Sequence, residues 1–318
     1  MPRTETPPGK QPRITLRALA GILRRALAGW WNDNVPRLGA SLAYYTLFSL
    51  APVLVVAIAI GGLIFGQEAV RGEIVGQIQG MIGREGAEAV QSMLEGAARP
   101  SSSIPATVAG VITFFLGATG AFLELQTSLN TIWRVTPKTD GSFFKVLVLQ
   151  RLISFGLVVA MGFLLATSLL VSAALAAVHT YMGNAFPGVV VLWEALNVIV
   201  SLAVITVLFA MVYKVLPDVK LGWTDVWIGA LVTAGLFTIG KLLIGMYLGT
   251  TGVASTYGAA GSVIVILVWV YYSAQIILLG AEFTREYVAT FGRRPPPEPY
   301  AKKEGKDGKA GRESRVLP

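Results

Sequence analysis

Between Arg37 and Glu68 the chain carries no charged residue, and this run constrains its fold more than any other feature. About 20 apolar residues cross the hydrocarbon core of a bilayer as a helix, and the stretch 38–66 exceeds that length. Five further stretches are of the same kind. One lies within 104–132 and holds a single acid, Glu124; the next, about 152–178, has no charge. The others fall at about 195–216, at about 226–249 with Lys241 inside, and at about 259–281, uncharged up to Glu282. Pro52 is expected to kink the first span rather than end it, because apolar sequence continues on both sides. Composition agrees, with 54% hydrophobic and 14% charged residues, against about 25% charged in soluble domains. The expected fold is therefore all-α: a polytopic membrane protein built as a six-transmembrane-helix bundle (domain 32–291).

The basic residues orient that bundle. Seven lysines and arginines precede the first span, four belong to the second loop with Arg151, two to the fourth loop and nine to the carboxyl tail. Only three lie in the first loop and none in the third or fifth. Basic residues stay on the cytoplasmic side, so both termini are expected there. The formal net charge of +8 then reads as a topology signal, with no nucleic-acid-binding motif beside it.

The segments outside the spans differ in kind. Residues 1–12 are polar, proline-rich and expected to be disordered, without the apolar core of a signal peptide. Over 13–31 the periodicity is helical: Leu16, Leu19, Leu23, Ala26, Leu27 and Trp30 share one face, and Arg13, Arg17 and Arg24 the opposite one. This is the pattern of an amino-terminal amphipathic interfacial helix on anionic phospholipid headgroups, with Arg13, Arg17, Arg24, Arg25, Trp30 and Trp31 as its membrane-surface residues. The alternative is a surface helix packed on protein. The outward loop 67–103 has apolar residues at helical spacing, predicting one or two short helices over the outer mouth of the bundle. Residues 292–318, charged and proline-rich, are expected to form a disordered cytoplasmic tail.

Ionisable side chains inside a membrane are costly, so each is a functional candidate. Glu124 sits in ELQTSLN, where Gln126, Ser128 and Asn130 extend a polar stretch. It is placed either to meet a cation, proton or polar substrate group, or to pair structurally with Arg151. Lys241 lies in the outer half of its span, either reaching toward the outer headgroups or facing a cavity. Glu282 and Arg285 read as interfacial anchors at the inner end of the last span. The small-xxx-small pair Gly245 and Gly249 suggests close helix approach.

Enzyme chemistry finds few parts. There is no cysteine and one histidine, His179, without paired ligands, and no P-loop or Rossmann glycine pattern. No catalytic residue, metal site or cofactor is expected.

Four stretches, GASLAYYTLFSLAP at 39–52, ELQTSLNTIWRV at 124–135, LPDVKLGWTDVWIGAL at 216–231 and YGAAGSVIVILVWVYYSAQIILLGAEFTREY at 257–287, resemble the YihY/BrkB family over about 30–292. The resemblance implies a six-span bundle in the bacterial cytoplasmic (inner) membrane. Members have been labelled virulence or serum-resistance factors, and the family once carried a ribonuclease BN name that the residues here do not support. Some relatives are linked to export of envelope lipid precursors. The leading expectation is therefore a transporter or exporter of lipid or another amphiphile, with a non-transporting scaffold for envelope assembly as the alternative.

Overall fold

The computed structural model describes residues 15–98, 120–137, 156–157, 160, 164, 189–251, 260–291 and 295–303. In order these form α1 (Leu16–Asn32), α2 (Val35–Phe65), α3 (Gln67–Ala98), α4 (120–133), β1 (Val135–Pro137), α5 (Val189–Val215), α6 (Trp223–Thr251), α7 (Gly261–Thr290) and β2 (Ala301–Lys303). Among the described residues four helices are long and apolar enough to cross a membrane: Val35–Leu63, Ala195–Val215, Trp223–Tyr247 and Gly261–Thr290. They match the first, fourth, fifth and sixth expected spans. Of the second, only 120–133 is described, and it is helical. The third, about 152–178, lies almost wholly outside the described residues.

The first two helices are joined by a tight turn. Thr15 caps α1, its hydroxyl accepting from the Ala18 amide at 3.3 Å. Asn34 takes the left-handed conformation (φ 52°), reversing the chain. Pro36 then sits in the first turn of α2, where its missing amide costs nothing. Further on, α2 continues through Pro52 as expected. It stops at Gly66 (φ 84°), a backbone state that favours glycine.

Of the loop 67–103, residues 67–98 form one long helical segment, α3, broken at Gly83 (φ 80°). Val90 and Leu94 of its second half pack with Leu47, Leu50, Leu54 and Ile58 of α2 and Ile266 of α7. The α3 segment therefore lies along α2 and α7, reaching Leu47 in the middle of α2. Its ion pairs, Arg71–Glu95 and Arg84–Glu88, are on the surface and contribute little.

Helix α7 is the centre of the bundle, packing on α1, α2, α3 and α6. Its contact with α6 is a reciprocal small-residue seam. A Cβ at Gly229 of α6 would collide with Thr284 of α7, and one at Gly280 of α7 with Thr233 of α6. The two threonine hydroxyls are satisfied within their own helices, donating to the carbonyls of Gly229 and Gly280 at 2.7 Å. From α5, the Tyr213 hydroxyl closes the junction, 2.9 Å from Thr233 Oγ1 and donating to the Ile277 carbonyl at 2.7 Å. Around this seam Leu129, Ile132, Val226, Ala230, Ala234, Leu278 and Ala281 form the core. The outer face of α6 exposes Leu231, Ile239, Leu242, Leu243 and Met246, an apolar surface suited to lipid.

Residues 295–303 correct the expectation of a disordered tail from 292 onward. Strand β2 pairs antiparallel with β1, Thr136 opposite Lys302. Pro297 bridges Val219, and the Lys220 amide donates to the Pro296 carbonyl at 2.9 Å. The segment therefore ties the chain after α4 to the turn between α5 and α6. Composition pointed the other way because this pairing is made by backbone groups and by one small side chain, Ala301, which is buried.

Candidate functional site

The densest polar arrangement lies at the end of the bundle where α1, α4 and α7 meet. Its hub is Arg285. Nη1 donates to Asp33 Oδ2 at 2.9 Å and to the carbonyl of Ile132 at 2.7 Å. Nη2 donates to Glu286 Oε1 at 3.1 Å and stands 2.8 Å from Glu282 Oε2, an ion pair without hydrogen-bond alignment. Arg25 of α1 extends the network through Nε to Glu286 at 3.1 Å and Nη2 to Thr290 at 2.7 Å. Arg134, just past α4, stands 3.9 Å from Asp33. Three carboxylates thus face three guanidiniums, and Arg285 touches all three acids, a geometry its planar fork allows and a lysine's point charge does not.

Glu282 is not the interfacial anchor that its position suggested, because it is fully buried. Room for it comes from Gly29 of α1, where a Cβ would crowd both Glu282 and Arg285. Helix α1 therefore docks on α7 through Ile22, Ala26 and Gly29, with Phe283, Tyr287 and Phe291 as apolar neighbours.

A second buried cluster surrounds Asp218, in the turn after α5. Gln126 Nε2 donates to Oδ1 at 3.0 Å and Asn130 Nδ2 to Oδ2 at 2.8 Å. The Asp218 amide returns a bond to Asn130 Oδ1 at 2.8 Å. Its carbonyl accepts from the Glu298 amide at 3.0 Å. Tyr300 also reaches the Asp218 side chain. Partial burial, with Asp218 and Glu298 adding negative charge, pushes the Tyr300 hydroxyl up to about 12. Gln126 and Asn130, expected beside Glu124 in one polar stretch, thus belong to a clamp on Asp218.

Glu124 is separate from both clusters. It is half-buried on α4 and makes no hydrogen bond or ion pair among the described residues. Eight residues separate it from Ile132, about 12 Å along a helix. Nearby, a Cβ at Gly120, one turn earlier, would lie 3.4 Å from the Tyr45 ring. Tyr45, Tyr44 and Phe48 form an exposed aromatic ladder on α2, with ring centroids 5.6 and 5.0 Å apart. Arg151, the proposed partner of Glu124, lies outside the described residues, as do Arg13 and His179. Lys241 is exposed on α6 among Leu242 and Leu243.

On α1, Arg17, Arg24 and Trp31 are exposed. Trp30 turns inward and donates to Gln275 Oε1 at 3.1 Å, and Arg25 serves the ionic network. Sequence reasoning missed Asp33, Asp218 and the central role of Arg285. The available signals were an acid in a tight interhelical turn, an acid immediately after a span, and the Glu282/Arg285 spacing of three.

Long apolar helices around a central α7, with buried polar clusters at one end, define a multi-pass helical membrane protein. Comparison with known families identifies which kind. The chain belongs to the Virulence factor BrkB family, whose model matches residues 26–304. It is similar to a UPF0761 membrane protein of Ralstonia nicotianae, 29% identical over 83% of this chain and 58% of that protein. A UPF0761 membrane protein of Rhodospirillum centenum is 28% identical over 87% and 58%. One of Pseudoalteromonas translucida is 26% identical over 83% and 87%. The chain thus spans 58% of the length of the first two relatives. No solved structure matches it.

Proposed function

We propose that this protein moves a lipid or another amphiphilic envelope component across the bacterial cytoplasmic membrane, with both termini on the cytoplasmic side and no enzymatic step. The observation that carries the proposal is Glu124, an acid about 12 Å along α4 from Ile132, half-buried and with no partner among the described residues. A carboxylate at such a depth is expensive unless it serves a path or a ligand. One turn before it on α4, Gly120 faces Tyr45 of the exposed ladder Tyr44, Tyr45 and Phe48. A polar group next to an aromatic wall suits a molecule with a polar head and an apolar tail. A common side for both termini is supported by the ionic network, which joins α1 to the carboxyl-terminal end of α7, and the cytoplasmic side by the lysines and arginines of the terminal segments.

The test is movement of labelled phospholipid in proteoliposomes by the wild type and by folded, inserted Glu124→Gln. Transport is expected in the wild type and at least a tenfold loss, about 1.4 kcal/mol at the barrier, in the variant. Wild-type protein that moves no lipid across several headgroups, with or without a proton gradient, would overturn the proposal in favour of a scaffold for envelope assembly.

A further inference from the structure

Helix α1 has three faces. Ile22, Ala26 and Gly29 are buried against the bundle, with Leu19 and Trp30 at the margin. Turning about the axis, Leu23 (43% exposed), Leu27 (49%) and Trp31 (72%) form a second apolar strip that no part of the described chain covers. Next to it comes a basic strip, Arg17 and Arg24, seven residues and so nearly two turns apart, both exposed and without a partner among the described residues. The arrangement differs from a two-faced amphipathic helix, because packing on α7 uses one apolar face and leaves another. Leaving the second face in water is unfavourable, since apolar surface gains free energy on leaving water.

We infer that the strip Leu23–Leu27–Trp31 with Arg17 and Arg24 is a docking edge for anionic phospholipid, apolar side chains entering the acyl boundary and guanidiniums meeting headgroup phosphates. The depth is suitable. The turn at Asp33 and Asn34 leads directly into α2, so α1 sits at the end of a membrane span. Charge selects this occupant over the alternatives. Residues 1–14 carry three bases and one acid, and residues 304–318 four bases and three acids, so neither end of the chain complements arginines. A second copy docking through the same edge would set arginine against arginine. Tryptophan beside basic residues is the chemistry of the headgroup layer. Trp30 and Arg25 stand outside this edge because both are engaged by α7.

The chain has no cysteine, so Ala20→Cys places a single fluorophore between the two strips of the full-length protein. Reconstituted samples receive equal fractions of brominated phosphatidylglycerol or brominated phosphatidylcholine as quencher. Stronger quenching by phosphatidylglycerol is expected, with the preference falling about fivefold for each charge removed in Arg17→Gln and Arg24→Gln. These substitutions touch exposed side chains, and circular dichroism verifies that the fold is retained. Equal quenching by the two lipids, or an unchanged preference in the double variant, would overturn the inference. Absence of quenching by either lipid would overturn it too, because the edge would then be covered by protein.

Discussion

Among the described residues, Arg285 joins more partners at the end of the bundle where α1, α4 and α7 meet than any other side chain. Four partners converge on one guanidinium: the carboxylates of Asp33, Glu282 and Glu286, and the carbonyl of Ile132. Its side chain is 14% exposed and that of Glu282 fully buried, so solvent cannot replace what a substitution removes. Taking away one partner of a buried ionic group strands the others, at a cost of about 3–5 kcal/mol. Arg285→Met is expected to destabilise by this amount in thermal unfolding of detergent-solubilised protein. Adding Glu282→Gln to that background should restore part of the loss, with a coupling of about 0.5–3 kcal/mol. An Arg285→Met protein that unfolds at the wild-type temperature would mean that the network is ornamental. Arg285→Lys should behave more like Met than like Arg, since one ammonium cannot span the same acceptors.

Among the elements, α6 and α7 depend on backbone proximity. Gly229 and Gly280 face Thr284 and Thr233 reciprocally, so any side chain at either glycine pushes the helices apart. Gly280→Leu is expected to destabilise by about 1–3 kcal/mol through overpacking. Gly245→Leu should be nearly neutral, because no described residue stands within 4 Å of a Cβ there. Equal effects of the two substitutions on unfolding temperature would disprove the seam. The pair also marks how far the sequence was legible. The apolar runs of α2, α5, α6 and α7 could be read directly, because crossing a bilayer imposes length and polarity on each helix separately. A glycine spacing such as Gly245-xxx-Gly249 shows only that close approach is permitted; which face meets a partner depends on helices distant in the chain. The same limit hid the ionic hub, whose Asp33 and Arg285 are 252 residues apart. It also hid the Asp218 clamp, since an acid just after a span looks like a simple boundary residue. Glu124 was conspicuous in the sequence as the single acid of the apolar run 104–132.

At the scale of the molecule, residues 295–303 connect parts that the membrane helices leave separate. Strand pairing with Val135–Pro137 holds the exit of α4, and the bridge at Val219 holds the α5–α6 turn. Tyr300 anchors the strap beside Asp218, which Gln126 and Asn130 in turn attach to α4. This contact requires a neutral phenol: partial burial and the negative charges of Asp218 and Glu298 raise Tyr300 to about 12 in the folded state, from about 10 in an unfolded chain. The folded form therefore binds this proton more tightly than the unfolded form does. Its stabilising contribution is complete below about pH 10 and is lost as the pH rises through about 12. The strap is expected to loosen over that interval, seen as increasing reactivity of a cysteine introduced at Lys302. In Tyr300→Phe the reactivity at that position should be higher at neutral pH, because the hydroxyl that meets Asp218 is gone, and its rise between pH 10 and 12 should be smaller. If wild type and Tyr300→Phe follow the same curve, the phenol does not hold the strap, and the backbone pairing of β1 with β2 suffices to keep the end of α4 and the α5–α6 turn together.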